Sequence, residues 1–163
     1  MSQKTKTISA VIIARNESPR IASCIASLGF ADEIIVVDNG STDETAAIAK
    51  ECGARVVSTN EQSFSKIRMQ GMEASKGVWI IYVDADETVT DGLRHEIQEA
   101  ARSTDEDIAA YRFTRRNTYL GTPWPTTEKL ERMFKRTRLS GWFGDVHERS
   151  EERRVGKECE DLC

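Results

Sequence analysis

The chain has 163 residues, of which 39% are hydrophobic and 31% are charged, as is typical of one globular domain with a sizeable core. Its net charge of −4 lacks the basic excess of nucleic-acid-binding proteins, so we expect no nucleic-acid partner. The sequence contains no signal-peptide pattern, no long apolar run and no CxxC pair. We therefore expect a cytoplasmic protein without a transmembrane segment.

The first 90 residues alternate between apolar, β-branched runs and amphipathic helical patterns. Strands are predicted at ISAVIIA (8–14), EIIVVD (33–38), RVVST (55–59) and VWIIYVD (78–84). Helices are predicted between them, with Ser18 as the N-cap of the first, a cap near Thr42 for the second, and SFSKIRMQGMEASKG (63–77) as the third. This alternation predicts βαβ units and an α/β fold with a mostly parallel, doubly wound sheet.

The pattern changes after residue 90. TDGLRHEIQEAARS (90–103) is a predicted helix with Thr90 as its N-cap. AAYRFTRRNTYLG (109–121) and KLERMFKR (129–136) alternate with period two, which predicts a smaller antiparallel portion, and the proline-containing GTPWPTTE between them is a predicted loop. Residues 149–163 have dense mixed charge and no apolar period, so we expect a disordered or non-native charged tail after a domain that could be truncated.

Three of the predicted parallel strands end in segments that contain polar residues. The candidate site residues are Ala14, Arg15 and Glu17 at the end of the first strand, Asp38 at the end of the second, and Asp84, Ala85 and Asp86 at the end of the fourth. Ligands of open parallel sheets bind outside the carboxyl ends of the strands, so we expect these residues to form one polar pocket.

The spacing of Asp84 and Asp86 favours a metal site. In an extended chain both carboxylates face the same side, and Ala85 between them is small. Neighbouring carboxylates repel unless a proton or a cation separates them, and oxygen ligands suit Mg²⁺ or Mn²⁺ shared with substrate phosphates. The alternative is that Asp86 and its neighbours only favour the N-terminus of the following helix.

Three motifs together carry a family resemblance. ARNES (14–18), VVDNGSTDET (36–45) and YVDADE (82–87), in this order and spacing, resemble the family 2 glycosyltransferases of the GT-A fold. The subgroup most similar is that of lipopolysaccharide and lipooligosaccharide core glucosyltransferase-like proteins, which share the later VHE tripeptide (146–148). The resemblance implies a nucleotide-binding half (1–90) and an acceptor half (91–148).

The resemblance also implies roles in binding the donor. Ala14 and Arg15, with Glu17 in the same segment, would lie along the nucleobase of a nucleoside-diphospho-sugar, most simply a uridine diphosphate sugar. Asp38 would contact the same base. Arg68 would lie near the nucleotide, although Met69 replaces the asparagine that usually follows it.

In the Asp-x-Asp motif of the family, the resemblance implies that Asp84 lies near the ribose and Asp86 on Mg²⁺ or Mn²⁺, with Ala85 between them. The implied reaction is metal-dependent sugar transfer with inversion at the anomeric carbon. It requires a carboxylate that accepts the proton of the acceptor hydroxyl. Glu148 in VHE is the first candidate for this base, and Asp145 is the alternative.

Clues to the acceptor come from charge. Residues 111–138 contain eight basic and two acidic residues, which favours an anionic saccharide or lipid-linked acceptor, or contact with the inner leaflet of a membrane. The family resemblance implies a glycosyltransferase, and its subgroup implies a role in bacterial envelope polysaccharide synthesis. The alternatives are a catalytically incomplete nucleotide-sugar-binding domain and a sugar-phosphate nucleotidyltransferase, although the latter normally has a glycine-rich loop after the first strand.

Overall fold

The computed structural model describes residues 7–143, 149–152 and 159–162. The first half alternates strands and helices as the sequence predicts. Its strands are β1 (Ile8–Ala14), β2 (Glu33–Asn39), β3 (Arg55–Thr59) and β4 (Trp79–Asp84). Its helices are α1 (Ile21–Ser27), α2 (Thr45–Glu51) and α3 (Phe64–Ala74).

The second half begins with a helix and continues as strands that are mostly antiparallel to their neighbours. The elements are α4 (Asp91–Arg102), β5 (Ala110–Tyr119), β6 (Thr122–Lys135), β7 (Leu139–Phe143), β8 (Arg149–Glu152) and β9 (Cys159–Leu162). Thr90 caps α4 as predicted, because its hydroxyl oxygen accepts a hydrogen bond from the Leu93 N–H. None of the helices in the described part of the chain is long and apolar enough to cross a membrane.

One mixed sheet organises the described residues. Its strand order is β3-β2-β1-β4-β6-β5-β9, while β7 and β8 form a separate antiparallel pair. The strands β3, β2, β1 and β4 are parallel, and β6 is antiparallel to both β4 and β5. The predicted α/β fold with a mostly parallel, doubly wound sheet and a smaller antiparallel portion is therefore confirmed.

Alternate residues of the central strands fill two apolar cores, one on each face of the sheet. Ile12 of β1 belongs to the core that contains residues of α1, α2 and α4, and Val11 belongs to the core that contains Ile67 of α3. Because period-two alternation sends neighbouring side chains to opposite faces, both faces must be covered by helices. The cores hold the carboxyl ends of β1, β2 and β4 at one common edge.

Two predicted helix caps are wrong. The helix α1 begins at Ile21, and the Ser18 N–H donates instead to Asp43 Oδ2 at 3.1 Å. The helix α2 begins at Thr45, whose N–H donates to Asp43 Oδ1 at 3.0 Å, while the Thr42 N–H donates to Asn16 Oδ1 at 2.8 Å. These polar groups are used to join the loops after β1 and β2.

The predicted proline-containing loop is also wrong, because residues 122–128 are part of β6. Only Leu120 and Gly121 connect β5 to β6, both with positive φ. This section of β6 pairs with β5 on one side only, since its pairing with β4 is confined to Met133–Lys135. Proline is tolerated on such an open edge, where no ladder hydrogen bond is required from its nitrogen.

The segment expected to be a disordered charged tail contains two short strands in its described residues. β8 pairs with β7, and β9 pairs in parallel with β5. For these eight residues the expectation of disorder is corrected by backbone pairing with earlier strands, which the local charge pattern does not reveal.

Replacement of Gly71 tests the packing of α3 on the sheet. A Cβ at Gly71 would overlap Val11 Cγ1 and press on Val37 Cγ2, so Gly71→Ala should lower the free energy of unfolding by about 1 to 3 kcal/mol. The matched control is Gly92→Ala on α4, where a Cβ would meet open space. That change should leave stability unchanged or raise it by up to about 1 kcal/mol. Urea denaturation of both variants measures the difference, and equal effects would contradict the packing argument.

Candidate functional site

The residues predicted at the strand ends meet at one edge of the sheet. In the registers of the parallel strands, Ala14 lies beside Asp38 and Ile13 lies beside Asp84. The ends of β2, β1 and β4 are therefore adjacent, in that order. This edge also receives the loops that carry Arg15, Glu17 and Asp86.

Five hydrogen bonds join the loop after β1 to residues 41–45 after β2. Besides the two N–H bonds of Ser18 and Thr42 described above, the Asn16 N–H donates to Ser41 Oγ at 2.9 Å, the Glu17 N–H donates to Thr45 Oγ1 at 2.8 Å, and the Thr42 hydroxyl donates to Asn16 Oδ1 at 3.3 Å. Asn16 has a φ of 54°, a left-handed conformation that asparagine tolerates better than most residues. Arg15 is exposed beside this join, and the Glu17 carboxylate is half-buried and pairs with Arg20.

Asp43 accepts hydrogen bonds from both sides of this join. The Thr45 hydroxyl and N–H and the Ser18 N–H donate to its carboxylate. The Thr45 hydroxyl is the main cause that lowers the pKa of Asp43 to about 2, with smaller contributions from the backbone donors. The carboxylate therefore stays ionised, and the join stays formed, throughout the physiological pH range.

Asp38 is buried at the end of β2, with only 5% of its surface exposed. Its Oδ2 accepts a hydrogen bond from the Ser41 N–H at 3.3 Å. Its Oδ1 is also buried, and no residue that the structure describes donates a hydrogen bond to it. A buried carboxylate oxygen without a donor is unfavourable, so Asp38 is chemically suited to accept a hydrogen bond from a ligand N–H or O–H.

Asp84 is held by two arginines at the end of β4. Arg132 Nη2 lies 3.0 Å from Asp84 Oδ2, and Arg68 Nη2 lies 3.6 Å from Asp84 Oδ1. The Asp84 N–H donates to Glu87 Oε2 at 3.0 Å, and Glu87 Oε1 also accepts from Arg132 at 3.1 Å. Burial is the largest single effect and opposes ionisation of Asp84, but Arg132, Arg68 and Arg115 together outweigh it and hold the pKa of this carboxyl below its ordinary value.

Arg68 is almost buried beneath this edge, packed against two aromatic rings. Its guanidinium carbon lies 4.9 Å from the centroid of the Trp142 ring and 5.5 Å from that of Tyr82. The Tyr82 hydroxyl donates to the Arg68 carbonyl at 2.9 Å. The structure thus brings Arg68 to Asp84, and these cation–π contacts fix the direction of the guanidinium.

Cys24 packs below the same turn. Its thiol lies 3.6 Å from the Asp84 carbonyl oxygen. Burial, together with the charges of Glu87, Asp84 and Asp86, raises the pKa of Cys24 to about 12. The thiol is therefore protonated at neutral pH and takes no part as a nucleophile.

Asp86 is exposed, whereas Ala85 before it is buried. With Asp84 it lines a cavity of about 740 Å³ between the end of β4, the start of α4 and the base of the β5–β6 hairpin. Arg115, Arg116 and Arg132 face this cavity from the hairpin. Asp86 makes no hydrogen bond or ion pair with any residue that the structure describes, so its charge is available to a ligand.

The donor set of the Asp-x-Asp motif fits a hard divalent cation. No group of three or more His, Cys, Asp or Glu side chains that could hold a metal occurs among the described residues. Mg²⁺, however, is commonly held by one or two carboxylates together with substrate phosphates. Asp86 supplies an exposed carboxylate, and Asp84 supplies a second one from the same cavity wall.

The prediction from sequence does not identify Arg132 and Glu87 as residues of the candidate site. Arg132 is counted there only as one member of a basic strip, and Glu87 only as a charge near a helix N-terminus. The sole signal in the sequence for a role of Arg132 is that the alternation of β6 places it at a buried position. In the structure Arg132 is only 8% exposed, and an arginine buried to this extent requires an acidic partner. The predicted bases Glu148 and Asp145 lie outside the described residues.

Comparison with known proteins gives one family and several relatives. A family model described as glycosyl transferase family 2 matches residues 9–157. An uncharacterized glycosyltransferase of Rickettsia bellii is 40% identical over 104 residues, 63% of this chain and 35% of that protein. The lipopolysaccharide core biosynthesis glycosyltransferase LpsC of Rhizobium meliloti is 32% identical over 130 residues, 77% of this chain and 48% of that protein. The matched region thus spans less than half the length of either relative.

Solved structures are also similar. Glucosyl-3-phosphoglycerate synthase from Mycobacterium tuberculosis in complex with uridine diphosphate has a TM-score of 0.61 and 25% identity, covering 82% of this chain and 58% of that one. The same enzyme in complex with Mn²⁺, uridine diphosphate and glucosyl-3-phosphoglycerate has a TM-score of 0.53 and 28% identity, covering 66% of this chain and 43% of that one.

Replacement of Arg132 tests the ion pair at Asp84. Arg132→Gln should raise the pKa of Asp84, because burial would then be opposed by fewer positive charges. It should also lower the free energy of unfolding at neutral pH by about 1 to 3 kcal/mol. Since the folded pKa of Asp84 is below its unfolded value of about 3.9, the stabilisation is present above pH ~4 and is lost as pH falls through the folded pKa.

The stability difference between wild type and Arg132→Gln should therefore shrink below pH ~4. Carboxyl NMR titration and urea denaturation at several pH values measure both effects. The matched control is Arg136→Gln, an exposed arginine of the same basic strip, which should leave Asp84 unchanged. A stability difference that does not depend on pH would show that Arg132 acts by packing alone.

Proposed function

The chain belongs to glycosyltransferase family 2 and has the GT-A fold, as its sequence motifs predicted, and from this premise we propose that it transfers a sugar from a nucleoside-diphospho-sugar to a saccharide or lipid-linked saccharide. The observation that carries the proposal is the edge formed by β2, β1 and β4, with the unpaired Asp38 Oδ1 and the arginine-held Asp84 at its two ends. One end offers a hydrogen-bond acceptor to a nucleobase, and the other offers a carboxylate that could hold a cation shared with the diphosphate.

The donor we propose is a uridine diphosphate sugar. The imide N–H of uracil supplies the donor that Asp38 Oδ1 lacks among the described residues. Ala14 and the exposed Arg15, with Glu17 in the same loop, would lie along the base. Support comes from the mycobacterial synthase, which has been crystallised with uridine diphosphate.

The cation we propose is Mg²⁺ or Mn²⁺, held by Asp86 together with Asp84. When bound, it would take up negative charge that develops on the leaving diphosphate. Arg68 and Arg132 keep Asp84 ionised and fixed in direction, so that this carboxylate does not need to be reorganised when the donor arrives. The complex of the mycobacterial synthase with Mn²⁺ supports a divalent cation without deciding which one.

The reaction we propose inverts the anomeric carbon. The acceptor oxygen forms a bond to C1 from one face while the bond from C1 to the diphosphate oxygen breaks on the other, and the acceptor proton passes to a carboxylate. Glu148 is our first choice for this base and Asp145 is the alternative. Loss of transfer with retained nucleotide affinity in Glu148→Gln would support the first choice, and retained transfer would move the role to Asp145.

The acceptor we propose is an anionic saccharide or a lipid-linked saccharide of the bacterial envelope. Support comes from the cavity beside Asp86, where Arg115 and Arg116 face the space that an acceptor would occupy. The similarity to a lipopolysaccharide core glycosyltransferase of Rhizobium meliloti points in the same direction. On this proposal the protein works on the cytoplasmic side, in peripheral contact with the inner membrane.

Asp38→Asn separates a ligand-binding role from a structural one. The variant removes a buried charge with an unpaired oxygen, so the free energy of unfolding should stay the same or rise by up to about 1 kcal/mol. Affinity for uridine diphosphate should fall at least about tenfold, because an accepting oxygen is lost. Calorimetric titration and thermal melting measure the two quantities.

The control for Asp38 is Asp32→Asn, just before the opposite end of β2. Asp32 Oδ2 accepts a hydrogen bond from the Ile8 N–H at 2.8 Å, so its replacement should lower stability and leave nucleotide affinity unchanged. Unchanged nucleotide affinity in Asp38→Asn would overturn the assignment of the base-binding residue.

Asp86→Asn tests the proposed metal ligand. Uridine diphosphate with Mn²⁺ should raise the melting temperature of the wild type more than either does alone. The variant should lose the Mn²⁺-dependent part of this increase, since the exposed carboxylate is gone. Asp91→Asn is the control, because its side chain is 93% exposed on α4 and does not line the cavity. A full Mn²⁺ effect in Asp86→Asn would contradict the assignment.

A further inference from the structure

The β5–β6 hairpin projects beyond the edge of the sheet that carries the site. Ile81 of β4 pairs with Met133 of β6, so Asp84, three residues further along, is level with residue 130. Residue 130 pairs with Phe113 of β5, and pairing of β5 with β6 continues to Tyr119 and Thr122, six residues further along β5. At about 3.3 Å per residue, the end of the hairpin lies roughly 20 Å beyond Asp84.

Large apolar side chains cluster at the end of this hairpin. Tyr119 is 64% exposed, Leu120 is 88% exposed and Trp124 is 52% exposed, and we refer to these three residues as the apolar tip. The rings of Tyr119 and Trp124 pack edge to face, with centroids 6.0 Å apart. Of the five large hydrophobic side chains that are exposed among the described residues, three are therefore in one place. Such concentration is typical of an interaction site.

The turn itself is built against local preference. Leu120 has a φ of 49° and Gly121 a φ of 78°, so both central residues of the two-residue turn are left-handed. Asparagine is favoured at the first position of such a turn, and a leucine there is unfavourable for the backbone and, when exposed, for solvation. A residue that is unfavourable on both grounds in the free protein suggests a role in a bound state.

One arm of the hairpin carries positive charge next to the apolar tip. Arg116, three residues before Tyr119 on β5, is exposed and makes no ion pair with any residue in the described ranges. Glu128 is paired with Arg115, so it does not offset Arg116. An apolar, aromatic end beside a cation matches the interface of an anionic bilayer, where tyrosine and tryptophan occupy the headgroup level and arginine meets lipid phosphate.

The edge chemistry of the hairpin argues against a second copy of the chain as the partner. Pro123 and Pro125 have no N–H to donate along the open edge of β6, and proline on an edge strand hinders pairing with another strand. A bilayer requires neither a strand partner nor a complementary protein surface.

We propose that the apolar tip inserts into the headgroup region of an anionic phospholipid bilayer and so docks the protein on a membrane. Arg116, Asn117 and Thr118 on the same arm line the cavity beside Asp86, so docking would bring the cavity mouth to the lipid surface. The docking itself stands on the hairpin alone. Its use in delivering a lipid-linked acceptor rests on the proposed function.

The test is binding of the full chain to vesicles of phosphatidylglycerol and phosphatidylcholine, with vesicles of phosphatidylcholine alone as the comparison. We expect co-sedimentation with the anionic vesicles and a blue shift of tryptophan emission, because Trp124 is exposed while Trp79 is buried. Leu120→Asn should weaken vesicle binding about tenfold or more while preserving or raising the melting temperature, since asparagine suits the turn. Arg116→Gln should reduce the preference for anionic vesicles.

The matched control is Phe64→Ser, which removes an exposed aromatic side chain outside the hairpin and should leave vesicle binding unchanged. The proposal is overturned if the wild type does not bind anionic vesicles, if it binds neutral vesicles equally well, or if Leu120→Asn binds as the wild type does. It is also overturned if the emission shift occurs without vesicles as the chain self-associates. Uridine diphosphate affinity, measured on the same samples, tests the proposed function separately and should be the same in Leu120→Asn and the wild type.

Discussion

The parallel pairing of β2, β1 and β4 is the constraint on which the site depends. Its register places Asp38 beside Ala14 and Asp84 beside Ile13, at the one edge where all three strands end. A shift by one residue would turn Val11 and Ile12 to the wrong cores and Asp84 to the opposite face. Burial of the strands on both faces therefore selects the same register that assembles the polar edge. Fold stability and site geometry are specified by one arrangement.

Charge compensation at this edge is uneven. Asp84 is ion-paired with Arg132 and lies near Arg68, whereas Asp86 has no partner among the described residues. Arg132 and Arg68 therefore compensate the negative charge of Asp84, whereas the negative charge of the exposed Asp86 is not compensated by a described residue. If the proposed cation binds both carboxylates, Asp84 would already be fixed in direction by the protein, and Asp86 would be the ligand that is still free to move.

Local sequence predicted the parts of the structure that local physics decides. The bounds of β1 and β3 match the prediction because runs rich in β-branched residues favour the extended conformation, both in the buried β1 and in the partly exposed β3. The caps at Ser18 and Thr42 failed because these residues bond across to another loop, and a pattern within one segment contains no information on such partners. Arg132 was missed for the same reason, since its role depends on Asp84, which lies 48 residues earlier.

The wrong loop prediction for residues 121–128 has a different physical origin. Prolines in this segment predicted a loop, yet they lie on the open side of a strand that pairs with β5 on its other side, with one irregularity between Pro123 and Thr127. A strand that carries proline on its outer edge can extend beyond the sheet without recruiting a further strand. The prolines that caused the wrong loop prediction are thus the residues that allow the hairpin to extend without a further pairing strand. Because its base lines the cavity and its end carries Leu120, any contact made at the tip is rigidly connected to the site by two hydrogen-bonded strands.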